Sequence, residues 1–167
     1  MSGTYLLEPN PELDLVLERI IDVPPHLVWK VWTEPEHLKP WFTPRPWTTP
    51  ECEIDLRPGG IFRTVMRSPE GDEHVGTGCF LEVVPERRIV WTGALLPGFR
   101  PTPTPEMAFT AVISMEPHGT GTRYTATVYH RNAEERARHA AMGFHEGWGA
   151  ALDQLVAYVK ELQGGGA

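Results

Sequence analysis

The run NAEERARHAAMGFHEGWGAALDQLVAYVKEL, Asn132 to Leu162, decides the fold. At about 3.6 residues per turn, Ala141, Phe144, Trp148, Ala151, Leu152, Leu155, Val159 and Leu162 fall on one stripe. Glu146, Asp153, Gln154, Lys160 and Glu161 fall on the other side. Asn132 is a favourable N-cap, Glu135 stands three residues later in capping-box position, and Glu134 faces the positive end of the helix dipole. Gly164, Gly165 and Gly166 end the run. Inside it, Gly143, Gly147 and Gly149 each cost roughly 1 kcal/mol of helix propensity relative to alanine. Either the helix kinks or breaks near Met142–Gly147, or the missing side chains leave room between helix and whatever it covers. A helix this long, with so broad an apolar stripe, needs a large apolar surface to lie on.

The preceding residues supply that surface as strands. Leu13–Asp22 alternates, with Leu13, Leu15, Leu17 and Ile21 on one face and Asp14, Glu18 and Asp22 on the other. Pro24 and Pro25 stop it, and Pro25 suits the first position of a short helix carrying Leu27, Val28, Val31 and Trp32. A second short helix is expected from Glu34 through Trp41, ended by Pro44 and Pro46. From Thr48 the period becomes two: strands are expected at Glu51–Leu56, Ile61–Arg67, His74–Val84, Arg88–Gly93, Glu106–Glu116 and Thr122–His130, separated by Pro/Gly turns. Leu95–Pro105, with Pro97, Pro101, Pro103 and Pro105, the last three spaced by two, reads as a stiff, extended loop outside the PxxP register. Tight turns imply antiparallel neighbours, and an antiparallel sheet with helices on one face is an α+β domain. Residues 13–162 form that one domain, with 1–12 and 163–167 expected to be flexible.

A chain of 167 residues suits one domain that buries roughly two-thirds of its unfolded surface. Its formal net charge of −7 argues against nucleic acid or an anionic membrane surface as a partner. No apolar run approaches the roughly 20 residues of a spanning helix, and Met1–Asn10 has no signal-peptide core, so a cytoplasmic location is expected. Cys52 and Cys79 lie about two inter-strand spacings apart if their strands flank the third, roughly 10 Å, beyond the reach of a disulfide. Free thiols are expected.

The motifs Leu17–Pro24, Val28-Trp29, Trp32–Leu38, Trp41-Phe42, Asp55–Gly60, Gly78–Arg87, and Gly147-Trp148 leading into Leu152–Leu155 run through the chain in that order. Together they resemble the START-like, helix-grip superfamily, and more closely its bacterial branch of homologues of the activator of the 90-kDa heat shock protein ATPase. The resemblance implies a curved seven-stranded antiparallel sheet wrapped around a long C-terminal helix, two short helices between strands one and two, and an apolar cavity between sheet and helix. The superfamily carries ligand carriers, cyclases and co-chaperone domains on one scaffold. Its chaperone activators use an additional N-terminal domain for much of their chaperone binding, and about twelve residues precede the first strand here.

No catalytic motif stands out. GxSxG, GxGxxG and the P-loop are absent, and His145-Glu146 begins no HExxH because Gly149 occupies the second histidine position. The seven histidines are scattered; no metal and no cofactor is expected. The informative set is aromatic. Trp41, Phe42, Trp47, Phe62, Phe80, Phe109, Phe144 and Trp148, with Thr64, Met66, Tyr124 and His145, are the expected lining of a cavity for a small apolar or aromatic ligand. Arg63, Thr64, His145 and Tyr124 are its candidate polar groups, and the mouth is expected between Leu95–Pro105 and the short helices. The first alternative is a polyketide cyclase- or dehydratase-like enzyme, which requires His145, His74, Arg63 or Glu106 to point into the cavity. The second is a co-chaperone-like domain that binds the 90-kDa heat shock protein.

Overall fold

A computed structural model describes residues 6–165 of the chain. Strand β1 (Asp14–Ile21) buries Leu15 and Ile21 and exposes Glu18. Pro24 caps and Pro25 opens helix α1 (Pro25–Thr33), whose Val28, Val31 and Trp32 are buried. Helix α2 (Pro35–Leu38) is shorter than expected, ending before Trp41. Strands β2 (Thr48–Ile54), β3 (Ile61–Arg67), β4 (Glu73–Val84) and β5 (Arg88–Thr92) follow, then the two-residue strands β6 (Leu95–Leu96) and β7 (Arg100–Pro101), then β8 (Thr110–His118) and β9 (Gly121–Tyr129).

The main sheet has seven strands in the order β1-β9-β8-β5-β4-β3-β2, every neighbouring pair antiparallel. Strands β1 and β2, consecutive in the chain, therefore stand at opposite edges. Helices α1 and α2 bridge them, and α1 packs against both β8 and the C-terminal helix.

Two segments between β5 and β8 also depart from expectation. The loop 95–105 does not run extended: β6 pairs with β7, and Gly98 (φ +80) and Phe99 (φ +66) turn the chain back. The strand expected from Glu106 begins only at Thr110, because Met107 has φ +61 and Ala108 N–H closes a turn onto the Pro105 carbonyl.

The C-terminal run is two helices, α3 (Ala133–Ala141) and α4 (Phe144–Gly165). Gly143, at φ +92, makes the break; a left-handed residue there suits glycine, which lacks the Cβ that clashes. Asn132 caps α3, accepting from Glu135 N–H at 2.8 Å. The reciprocal half of the capping box is not made, because the Glu135 carboxylate turns to Met107 and Arg131.

Helix α4 buries Phe144, Ala151, Leu152, Leu155 and Val159 against the inner faces of β1, β8 and β9, where Leu15, Ala111, Ile113, Met115, Tyr124, Ala126 and Val128 point inward. Each fully buried leucine contributes roughly 1.5–3 kcal/mol. Ala141, expected on this stripe, belongs to α3 and is exposed. Cys52 lies opposite Thr64 and Cys79 opposite Ile61, on the two strands flanking β3, and both are free thiols. Among the described residues no helix is long and apolar enough to cross a membrane.

Candidate functional site

Between α4 and the sheet lies a cavity of about 460 Å³. Of the residues expected to line it, the structure brings Trp41, Phe42, Phe62, Thr64, Met66, Phe109, Tyr124, Phe144 and Trp148 to its wall. Trp47, Phe80 and His145 lie outside. Trp47 stacks on exposed His74 at 5.5 Å, and Phe80 stacks at 5.2 Å on Phe62, which takes the cavity-facing position. His145, one position beyond Phe144 and so about 100° further around the helix, points outward with Nε2 3.2 Å from the Val16 carbonyl.

The ring contacts around the cavity fall into two sets. Trp32 meets Trp41 at 5.1 Å, Phe42 at 5.9 Å and Trp91 at 5.3 Å, and Phe62 joins Phe42 and Trp91. On the other side Phe109, His139, Phe144 and Trp148 pack together, with Phe144 and Trp148 4.9 Å apart. Among the described residues no ring contact joins the two sets; the hollow lies between them. Its exposed lining side chains, Met142 (71%) and Met66 (37%), mark the opening. The short-helix region contributes Trp32, Trp41, Phe42 and Pro44, while the loop 95–105 contributes nothing to the lining; Gly93 and 107–109 stand there instead.

The three glycines have three separate reasons. Gly143 and Gly147 line the cavity, and a Cβ at Gly147 would meet open space. Gly149, expected to thin the same face, instead faces β1, where a Cβ would sit 2.6 Å from Arg19 Nη2.

Polar groups in the wall are few. The Tyr124 hydroxyl accepts from Trp32 Nε1 at 3.2 Å, and its burial raises its pKa well above the ordinary phenol value, against a smaller lowering from that hydrogen bond. Thr64 is buried, and its hydroxyl has no hydrogen-bond partner among the described residues. The titratable groups considered for acid–base work face elsewhere: Arg63 pairs with Glu51 at 3.1 Å, and His74, Glu106 and His145 are exposed.

Residues 22–160 match the family described as Activator of Hsp90 ATPase homolog 1-like protein. The chain belongs to this family. A structure from Nitrosomonas europaea is 49% identical, with TM-score 0.89 over 93% of this chain and 99% of that one. One from Mycobacterium smegmatis is 26% identical, with TM-score 0.74 over 87% and 90% of the two chains. An AHSA1-like protein from Aeromonas hydrophila, 20% identical with TM-score 0.67 over 90% and 94%, shares the fold. No curated protein matches. Like these relatives, this member of the Activator of Hsp90 ATPase homolog 1-like family has a helix-grip fold.

Sequence reasoning missed the polar corner of this family member's cavity. His139, only 9% exposed, lines the wall, stacks on Phe109 at 5.0 Å, and places Nδ1 2.9 Å from His130 Nε2. Burial, assisted by the neighbouring His130, lowers its pKa to about 4. One turn earlier Glu135 is 3% exposed; its Oε2 accepts from Met107 N–H at 3.2 Å and from Arg131 Nε at 2.8 Å, and its Oε1 is buried without a partner among the described residues. Burial works against its charge, but the hydrogen bonds from Arg131 and Met107, with the charges of Arg131 and Arg138, together hold the carboxyl below its ordinary pKa. The highly charged stretch Glu134–Arg138 hid these residues, since nothing in its composition marks a buried face. Gln154 was likewise read as a surface residue. Its Nε2 donates to the carbonyls of Trp41 (3.0 Å) and Thr43 (2.9 Å), and its Oε1 accepts from Arg45 N–H (2.9 Å), tying the Trp41–Pro44 wall to α4.

Proposed function

We propose that this protein binds a small, largely apolar or aromatic molecule in the hollow between the sheet and α4. The observation that carries this reading is the separation of two aromatic walls by about 460 Å³ of space. Ligand sites typically occupy about 300–1,000 Å³ and combine apolar walls with a few placed polar groups. Interiors pack densely, so a hollow of this size forfeits dispersion contacts that a guest restores. The Tyr124 hydroxyl, already accepting from Trp32, has its proton to offer; Thr64 can donate or accept. A second hollow, of about 350 Å³, lies on the outer sheet face between Leu6–Leu7 and Val90, Val112 and Tyr129. Its exposed Leu7 flank and its single ring make it the poorer host for an aromatic guest.

Native mass spectrometry of the protein after incubation with a metabolite extract tests the reading. A retained small-molecule adduct, lost when Gly147→Phe fills the hollow, supports it. An adduct-free spectrum for the wild type, or an adduct that survives the filling variant, counts against it.

A further inference from the structure

We propose that the cavity selects a neutral guest bearing a hydrogen-bond donor, a phenol-type O–H or an aromatic N–H, and that His139 Nε2 accepts that donor. The inference rests on the binding reading above and adds the polar chemistry of the guest.

The argument follows the protons. The Leu13 carbonyl can only accept, so His130 Nδ1, 2.8 Å away, carries a hydrogen. In the neutral pair His130 Nε2 is then bare, and its 2.9 Å contact with His139 Nδ1 requires the hydrogen on His139. That leaves a lone pair on His139 Nε2, which has no hydrogen-bond partner among the described residues. The ring is fixed flat against Phe109 and edge-on to Phe144 and Trp148, at 5.0, 5.3 and 6.3 Å. His130 is the titratable group in contact with it; the others near the cavity wall, Tyr124 and Glu135, are held by Trp32 and by Arg131 with Met107.

A lone pair in the cavity wall without a donor is an open hydrogen-bond acceptor among apolar groups. A guest that supplies O–H or N–H satisfies it. Facing that nitrogen, a methyl ether presents only further lone pairs, and a carboxylate brings an uncompensated charge into a hollow with no cation in its lining among the described residues. The same one-way chain therefore favours phenols and N–H heteroaromatics and disfavours their alkylated and anionic counterparts.

Calorimetric titration at pH 7 with 2-naphthol, 2-methoxynaphthalene, naphthalene and 2-naphthoate tests this. We expect 2-naphthol to bind roughly five- to tenfold more tightly than its methyl ether, the ratio expected from one neutral hydrogen bond, with 2-naphthoate weakest. In His139→Phe, which keeps a ring against Phe109, the 2-naphthol preference should vanish while naphthalene binding persists. A readout free of any variant is nitrogen-15 NMR of the wild type: the His139 Nε2 resonance should be that of an unprotonated nitrogen and should shift on adding 2-naphthol. Equal affinities for 2-naphthol and its ether, or a protonated Nε2, overturn this inference and leave the binding reading standing. Failure of all four probes to bind removes both.

Discussion

The indole N–H of Trp32 on α1 donates to the hydroxyl of Tyr124 on β9 at 3.2 Å, joining a helix that bridges the sheet edges to the sheet's inner face. Both groups are buried, so removing the hydroxyl strands the indole donor. An unmet buried donor costs about 1–3 kcal/mol. Tyr124→Phe should lower the unfolding free energy by an amount in that range, read by tryptophan fluorescence as a lower urea midpoint with an unchanged slope.

The three glycines of the C-terminal run should respond differently to alanine. Gly147→Ala adds a Cβ to open space and recovers helix propensity, so it should stabilise by up to about 1 kcal/mol. Gly143→Ala places a side chain at φ +92 and should destabilise by about 1–2 kcal/mol. Gly149→Ala displaces Arg19 from its 2.6 Å pair with Asp153, an exposed interaction worth under about 1 kcal/mol, which the propensity gain offsets. The melting temperatures should fall in the order Gly147→Ala, wild type together with Gly149→Ala, then Gly143→Ala.

His139 makes stability depend on pH in a defined window. Its pKa falls from 6.5 to about 4 on folding, so the unfolded chain takes up the proton first as pH drops. The contribution is complete above about pH 6.5, is lost progressively between 6.5 and 4, and changes no further below. At 1.36 kcal/mol per unit, the loss is about 3 kcal/mol. Urea midpoints measured from pH 7.5 to 4 should decline for the wild type and decline less for His139→Phe.

The thiols should be unreactive in the folded state. Burial pushes Cys52 up to about 11, with the Lys39 charge opposing, and Cys79 has no exposed surface. Ellman's reagent at pH 8 should label neither thiol rapidly in the native protein and both in urea.

The fold was legible because its periodicities are clean. Leu15 and Ile21 in β1, and Tyr124, Ala126 and Val128 in β9, alternate inward as their spacing requires, and Phe144, Leu152, Leu155 and Val159 follow the helical stripe. The helix break was legible as one of two readings of the glycines. Which glycine served which purpose was not, because Gly149 owes its place to Arg19, 130 residues earlier in the chain. Strand parity placed Phe62, Thr64 and Met66 on the cavity face. It gave no hint that Phe62 would screen Phe80, since that depends on a contact between strands. His139 and Glu135 stayed hidden because their burial comes from the loop 107–109 folding onto α3, a tertiary event that leaves no local periodic signal.

Native mass spectrometry on wild type and Gly147→Phe, paired with their thermal stabilities, tests the central claim most directly. If a guest belongs between the two aromatic walls, the wild type carries a small apolar adduct and the folded variant carries none. An adduct-free spectrum for the wild type as well as the variant after incubation with a metabolite extract would contradict it.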